Sequence, residues 1–324
     1  MEKYYIGVDV GGTAIKAVLT DAAFNALASS RIPTEASEGY EHISANMMNM
    51  LAALLAEAGV SGSDLYGICI GLPGLVDIKN GISLDLKNLR WDNIPVAEHF
   101  SRHFNVPVFI DNDGNLNALG EKYFGAGVGV DDFILITLGT GVGAGIIAAG
   151  ELLRGAGNFA GEIGHMIIQK GGAPCPCGNN GCFESYCSAT GIVNEAKRLA
   201  VSDAASVLWE LANGDMKNLT AEMLDAGFEL NDGICRQVVG SLIEYLATGL
   251  ASLIHIFNPA KIIIGGGVSG MGDKLLVPLR SEVERRLMNV GLQSCGIETA
   301  RLGGNAGMMG ACVLTAKKLG VLCI

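Results

Sequence analysis

Within 18 positions the chain carries His165, Cys175, Cys177 and Cys182, spaced H-x9-C-x-C-x4-C. One imidazole and three thiolates are the donor set of a closed tetrahedral zinc site, and Pro174, Pro176, Gly178 and Gly181 supply the turns that fold so short a segment around an ion. Buried free thiols are the alternative reading, but they do not account for four zinc-type ligands in one proline- and glycine-rich loop. With every coordination position taken by protein, such a metal shapes the loop and does not catalyse. Glu162 precedes His165 by three residues and Glu184 follows Cys182 by two. Two acceptors braced at fixed positions suit a ligand with many hydroxyls; without the knot they would read as ordinary surface glutamates.

Asp111-Asn112-Asp113 follows the apolar run Val106–Ile110 and precedes a helical pattern from Gly114 to Phe124. The C-terminal end of a strand is where α/β folds place working residues, so Asp113 reads as a functional carboxylate. It suits the cap of the following helix equally well. Asp9-Val10-Gly11-Gly12-Thr13 ends the first apolar run. Gly11 and Gly12 let backbone approach phosphate oxygens, Thr13 adds a hydroxyl donor, and Asp9 could hold Mg²⁺ directly or through water. Lys16 reads either as a phosphate counter-charge or as a solvated strand lysine. Leu138-Gly139-Thr140-Gly141-Val142-Gly143 repeats the design, whereas GxxxxGK[ST] occurs nowhere.

These residues need elements to hold them. IGVDVGGTAIKAV and ILITLGTGVGAGI are strand–glycine turn–strand units more than a hundred residues apart. They predict a duplicated α/β unit with a cleft between the halves, each half supplying one glycine loop. Strands are also expected at Tyr66–Ile70, Val106–Ile110, Lys261–Ile264 and Ile297–Ala300, with a turn at Gly265-Gly266-Gly267. Helices are expected at Glu41–Ala58, Val96–Phe104, Gly114–Phe124, Ile192–Leu199, Ala204–Ala212, Ala221–Phe228, Gly233–Phe257, Leu275–Met288 and Gly307–Leu319.

Composition narrows the function classes. The 324 residues are 49% hydrophobic and 17% charged, enough to bury about two domains' cores. With 22 Lys and Arg against 33 Asp and Glu, the net charge is −11 and the pI near 4.9. That balance argues against a nucleic-acid or anionic-membrane partner. Phosphate must therefore be held locally, by backbone N–H groups, a helix N-terminus or a metal. The 46 glycines, about twice the usual share, suggest tight turns and close approaches. Phe133–Gly150 is long and uncharged, but its central glycines and threonines favour strand–turn–strand over a membrane span. Met1–Gly12 has no cationic export signal, so a reducing cytoplasm is expected, where clustered cysteines favour metal over disulfide.

Taken together, Ala160-Gly161-Glu162-Ile163-Gly164-His165, Gly171-Gly172 and CPCGNNGCFESYCS from Cys175 to Ser188 resemble the signature of the ROK family (repressors, open reading frames and kinases). The resemblance runs over essentially the whole chain. Within the family it is strongest to the bacterial glucokinases, and Ser188-Ala189-Thr190-Gly191-Ile192-Val193 adds to it. It implies an actin-like (ribonuclease H-like) ATPase fold of two α/β lobes: 1–112 with 309–324, and 113–308. It also implies Asp113 as catalytic base, and Asn88, Asn112, Glu162, His165 and Glu184 on sugar hydroxyls. Gly265, Gly266 and Gly267 would pass near the adenosine of ATP, with Mg²⁺ and structural zinc as metals and a homodimer as the assembly. His165 would place one ring nitrogen on zinc and the other toward sugar.

The activity implied is ATP-dependent phosphorylation of the 6-hydroxyl of D-glucose. Kinases for N-acetylmannosamine, fructose or allose share the knot, and a sugar-sensing repressor is the rival from another class. Such repressors carry a DNA-binding domain ahead of the kinase-like part, and only eight residues precede Asp9. One departure is visible. Where many relatives run through alanines after the aspartate, this chain has Gly114, Asn115, Leu116 and Asn117, so Asn115 or Asn117 is expected to reach the cleft and alter sugar choice.

Overall fold

β1 (Tyr4–Val10) and β2 (Ala14–Thr20) close over Gly11–Gly12 as an antiparallel hairpin in which Asp9 stands opposite Lys16. The computed structural model describes residues 3–288 and 295–322. β3 (Ala26–Pro33) adds to the outer edge of β2. After α1 (Gly39–Glu57), β4 (Leu65–Leu72) lies parallel to β1 on its inner side. A small antiparallel sheet then intervenes, made of β5 (Leu75–Asp77), β6 (Ile82–Leu86) and β7 (Trp91–Ile94). α2 (Val96–Phe104) leads into β8 (Val108–Asn112), parallel to β4. Helices α1 and α2 cover one face of this sheet, burying Met47, Leu51, Leu54 and Phe100 against Ile6, Val8 and Ile68.

β8 starts two residues later than the apolar run suggests. Pro107 has no N–H to give the ladder and contributes only its carbonyl, to Ile68. The strand also runs two residues further than expected, because β4 pairs with it as far as Asp111 and Asn112, and Asp113 is the first residue of α3 (Asp113–Phe124).

The second sheet repeats the plan. β9 (Phe133–Leu138) and β10 (Val142–Ala148) form the hairpin, and β11 (Glu151–Leu152) takes the edge. Helices α4 (Glu184–Cys187), α5 (Ala189–Ala200), α6 (Leu208–Leu211), α7 (Ala221–Glu229) and α8 (Gly233–Phe257) follow. β12 (Lys261–Gly265) then runs parallel to β9, α9 (Asp273–Glu284) follows, and β13 (Gly296–Thr299) lies parallel to β12. The strand order β11-β10-β9-β12-β13 copies β3-β2-β1-β4-β8. The expected duplication is therefore present.

α8 is long and apolar enough to cross a bilayer, but Val238, Leu242 and Leu246 on it are buried in one core with Ile134, Ile136 and Ile264 of the sheet. The helix expected at Ala204–Ala212 shrinks to α6. Asp203 accepts the Ala205 N–H as a cap would, but Asp232 takes the Val207 N–H, the donor of the first intrahelical bond to the Asp203 carbonyl.

α10 (Ala306–Lys318) returns to the first sheet and packs on β1, β4 and α3. Glycine makes these contacts close. A Cβ on Gly114 would lie 2.5 Å from the Ala144 carbonyl oxygen of β10, and one on Gly310 would lie 1.8 Å from the Leu116 carbonyl oxygen. Gly114, read above as a departure, is thus a packing requirement: α3 rests directly on the backbone of β10. Gly114→Ala is expected to cost about 1–3 kcal/mol by overpacking. Denaturant unfolding reads this, and a wild-type midpoint would show that the seam has room.

Candidate active site

Asn112, not Asp113, caps α3. Its Oδ1 accepts the N–H of Gly114 at 2.9 Å and of Asn115 at 3.4 Å, while its Nδ2 donates to the Gly74 carbonyl at 3.2 Å. That leaves Asn112 one amide hydrogen for a ligand. Asp113, relieved of capping, sits half-buried at the first helical position, where its carboxylate accepts the Gly114 N–H at 2.9 Å. Burial pushes its carboxyl up to about 7; the nearby Asp9 and Glu162 push the same way, and the Gly114 N–H opposes them.

Asp113 is therefore in the field of two other carboxylates from different parts of the chain. Asp9 ends the first hairpin strand, and its own carboxyl is raised by burial while Lys16 draws it down. Lys16 is not a free solvated lysine: its Nζ donates to the Gly304 carbonyl at 3.1 Å, just ahead of α10. The hairpin turn is braced by Thr34, whose hydroxyl donates to the Gly11 carbonyl at 2.6 Å and whose N–H donates to the Thr13 carbonyl. Gly12 and Thr13 remain exposed.

The second glycine loop lies beside the third. Gly139 N–H donates to the Gly141 carbonyl at 3.0 Å, leaving Thr140 exposed at the tip. Gly143, the second residue of the return strand, stands opposite Thr137. Gly265 is still in β12, opposite Thr137 on the other side, so the turn proper begins at Gly266. Gly266 has φ +84°, and a Cβ there would come within 2.5 Å of the Leu138 carbonyl oxygen. Gly267 opens the 3₁₀ turn that follows.

The knot forms as the spacing predicts. The Sγ atoms of Cys177 and Cys182 are 3.6 Å apart, Cys175 Sγ is 3.7 Å from His165 Nδ1, and all four ligand atoms lie within 4.8 Å of one another. With Zn–S near ~2.3 Å, tetrahedral sulfurs stand ~3.8 Å apart, so the donor set is compatible with zinc. The Asn179 N–H draws the exposed Cys177 thiol down to about 7, toward the thiolate that a metal needs.

With Nδ1 turned to the cysteines, His165 Nε2 lies 3.9 Å from Glu162 Oε2. Burial raises the Glu162 carboxyl, His165 lowers it, and Glu184 raises it further. Glu184, the first residue of α4, has one oxygen accepting the Val142 N–H at 2.9 Å and the other 3.9 Å from Cys175 Sγ. It joins the knot to the second glycine loop.

Of the expected site residues, Asp113, Asp9, Glu162, His165 and Glu184 come together. Asn88 does not join them: it is exposed in the turn between β6 and β7 and hydrogen-bonds none of them. Asn115 does not reach the cleft. It is 2% exposed, and its Nδ2 donates to Asp111 Oδ1 at 2.9 Å. Asn117 lies on the Asp9 side instead, since a Cβ on Gly307 would be 3.2 Å from Asp9 Cγ and 3.4 Å from Asn117 Oδ1. Sequence reasoning missed Glu121. Fully buried, it accepts the N–H groups of Ala126, Arg301 and Leu302 and so anchors the approach to α10. A lone Glu on the apolar side of a helical pattern was the available signal.

Two α/β lobes of one plan, each with a glycine hairpin, and α3 between them carrying a carboxylate at its start, are the actin-like ATPase fold. The chain belongs to the ROK family, whose sequence profile matches residues 5–318. It is 38% identical over 310 residues to a glucokinase of Halalkalibacterium halodurans, covering 95% of this chain and 94% of that one. The crystal structure of a ROK family glucokinase from Streptomyces griseus in complex with glucose and AMPPNP superposes with a TM-score of 0.83 at 34% identity, over 97% of this chain and 99% of that one. A xylose repressor of Caldicellulosiruptor bescii is 31% identical over 307 residues, 94% of this chain and 76% of the repressor.

Proposed function

We propose that the protein transfers the γ-phosphoryl group of ATP to the 6-hydroxyl of D-glucose, with Asp113 as general base. The observation that carries this reading is Asp113 itself, free of capping and coupled on one side to Asp9 at the glycine hairpin and on the other to Glu162 at the knot. A phosphate donor on the first side and a hydroxyl acceptor on the second would meet at that carboxylate. Asp113 accepts the proton of the attacking hydroxyl as the new O–P bond forms and the bond to the ADP oxygen breaks.

Backbone N–H groups of Gly12 and Gly141, with the Thr13 and Thr140 hydroxyls, hold phosphate oxygens in turns closed by the Gly11 N–H on the Ala14 carbonyl and the Gly139 N–H on the Gly141 carbonyl, and Gly265–Gly267 flank the adenosine. Asp9 would hold Mg²⁺, directly or through water, and the ion would supply the charge neutralisation that an acidic chain lacks. His165, Cys175, Cys177 and Cys182 would hold zinc, which would supply rigidity and leave His165 Nε2, Glu162, Glu184 and the free amide hydrogen of Asn112 for sugar hydroxyls. Asn88, exposed in this structure, is assigned to the sugar by resemblance and would reach it as the lobes close. Residues 1–112 with 309–324 form the closing lobe in this reading; 1–2 and 323–324 lie outside the described residues. The cytoplasmic homodimer belongs to the same reading.

A sugar panel with coupled ADP detection tests it. Each epimer that leaves one of those polar groups unpaired is expected to lose about 1–3 kcal/mol, roughly five- to 150-fold in kcat/KM. Glucose should lead mannose and allose by such factors. A higher value for N-acetylmannosamine, fructose or allose would move the substrate and leave phosphoryl transfer standing. Sugar binding without ADP formation would favour the sugar-sensing role that the likeness to a repressor admits.

A further inference from the structure

Arg154 leaves the edge of the second sheet two residues after β11 and reaches the end of β8 in the first. Its Nη2 donates to Asp111 Oδ2 at 2.6 Å, and the Asp111 side chain is only 1% exposed. The other oxygen, Oδ1, accepts the Asn112 N–H at 2.8 Å and Asn115 Nδ2 at 2.9 Å. Those two donors bracket Asp113, because Asn112 caps α3 and Asn115 lies in its first turn. Asp111 therefore holds the backbone on both sides of Asp113, and Arg154 holds Asp111.

The same residue reaches the knot. The Arg154 carbonyl accepts the Ala160 N–H at 3.0 Å, closing the loop that leads directly into Glu162 and His165. Gly155 and Gly161, with φ of +68° and +101°, shape that loop, so its course depends on few side chains. Arg154 Nη1 is buried without a partner, and the guanidinium has no acceptor but Asp111 among the described residues. One side chain thus ties the segment carrying Glu162 to the strand end just ahead of Asp113, across the two sheets.

We propose that Arg154 is a positioning residue for phosphoryl transfer, setting Asp113 against the Glu162–His165 segment through Asp111. It touches no reactant. The proposal rests on the reading of Asp113 as base, and the variants below separate the two. Removing the guanidinium has two consequences. The tie between lobes is lost, and Asp111 Oδ2 becomes a buried anion with no partner, which destabilises whatever the residue's role. Adding Asp111→Asn removes the second consequence and leaves the first.

The test compares wild type, Arg154→Met, Arg154→Lys and Arg154→Met with Asp111→Asn in the full chain. It reads kcat, both KM values, the melting temperature and amide exchange. Arg154→Met should lose on the order of 10- to 100-fold in kcat, as expected for misplacement by about 1 Å, with little change in KM for ATP. Arg154→Lys should recover part of the loss, because an ammonium still pairs with Oδ2. The double variant should regain melting temperature but not kcat. Amide exchange should quicken together at 154–162 and in the first turn of α3 in both Met variants. Wild-type kcat in folded Arg154→Met overturns the proposal, as does a double variant that regains kcat along with stability. If wild type forms no ADP with any sugar, the kinase reading falls and the proposal with it. If Asp113→Asn keeps full turnover, Asp113 is not the base, and Arg154 has no base to position.

Discussion

Asp113→Asn is expected to lower kcat by about 10²–10⁴-fold while sugar and ATP still bind. The amide keeps the shape and the hydrogen bond to the Gly114 N–H but accepts no proton. Wild-type kcat/KM should also fall as pH drops below about 7, where Asp113 takes up its proton, and the variant should lack that limb. The same shift has a stability consequence of definite sign. An aspartate raised from its ordinary value to about 7 binds its proton more tightly folded than unfolded. The cost of ionising it is absent below about pH 4, grows between pH 4 and 7, and is complete above pH 7. Asp113→Asn should therefore melt higher than wild type at pH 8 and level with it near pH 4. At about 1.4 kcal/mol per unit the ceiling is roughly 4 kcal/mol, and water reaching this half-buried group lowers it. Near-normal turnover in the variant would remove Asp113 from the chemistry. Equal melting at pH 8 would show that its ionisation costs nothing.

That aspartate also shows where the sequence stops being decisive. A carboxylate ahead of a helix serves as cap or as working group, and both readings use the same local pattern. The choice turned on tertiary pairing: β4 carries the ladder as far as Leu72 opposite Asn112, so Asn112 ends the strand and takes the cap. The duplication was legible because Gly11–Gly12 and Gly139–Gly143 separate β-branched runs that have no other place to turn. β3 was not: its residues alternate between exposed and half-buried, with Ser29, Ser30 and Arg31 in place of an apolar alternation. β5 to β7 were hidden for a related reason, being short and interrupted by Asp77, Asp85 and Asp92.

Asn115 and Asn117 illustrate the limit at the site. Two positions apart on a helix, they face roughly 200° from one another, so at most one reaches a given ligand. Which one depends on what α3 packs against. β10 and α10 settle that, sending Asn115 inward to Asp111 and Asn117 toward Asp9. Arg154 left no local trace at all, since its partner lies 43 residues upstream.

Protein purified without added metal is expected to carry one zinc per chain, and Cys175→Ser to lose both the metal and sugar affinity. Besides the ligands the loop is held by turn hydrogen bonds, such as Cys175 N–H to the Asn179 carbonyl and Gly181 N–H to the Ala173 carbonyl, and by the isolated bridges Ile167 to Cys182 and Pro174 to Asn180, while residues 176–180 are exposed. Structural zinc contributes about 10–16 kcal/mol to small peptide sites at pH 7, so its removal outweighs those contacts. Cys175 is the sensitive position, because its Sγ faces His165 Nδ1 at 3.7 Å and Glu184 Oε1 at 3.9 Å. Without the metal the His165 ring should lose the coordination that fixes its Nδ1 and be freer to leave Glu162, while Glu184 retains its bond to the Val142 N–H. Sugar affinity should fall by at least the roughly five- to 150-fold expected for one lost polar contact, and more if both side chains are released. Cys295→Ser, outside the knot, should keep zinc and affinity. Elemental analysis and sugar titration of the same preparations read both quantities. Zinc-free protein with full affinity would overturn the metal and its bracing role together, whereas a Cys175→Ser protein that keeps zinc but loses affinity would leave the metal in place and move the sugar's support to Cys175 itself.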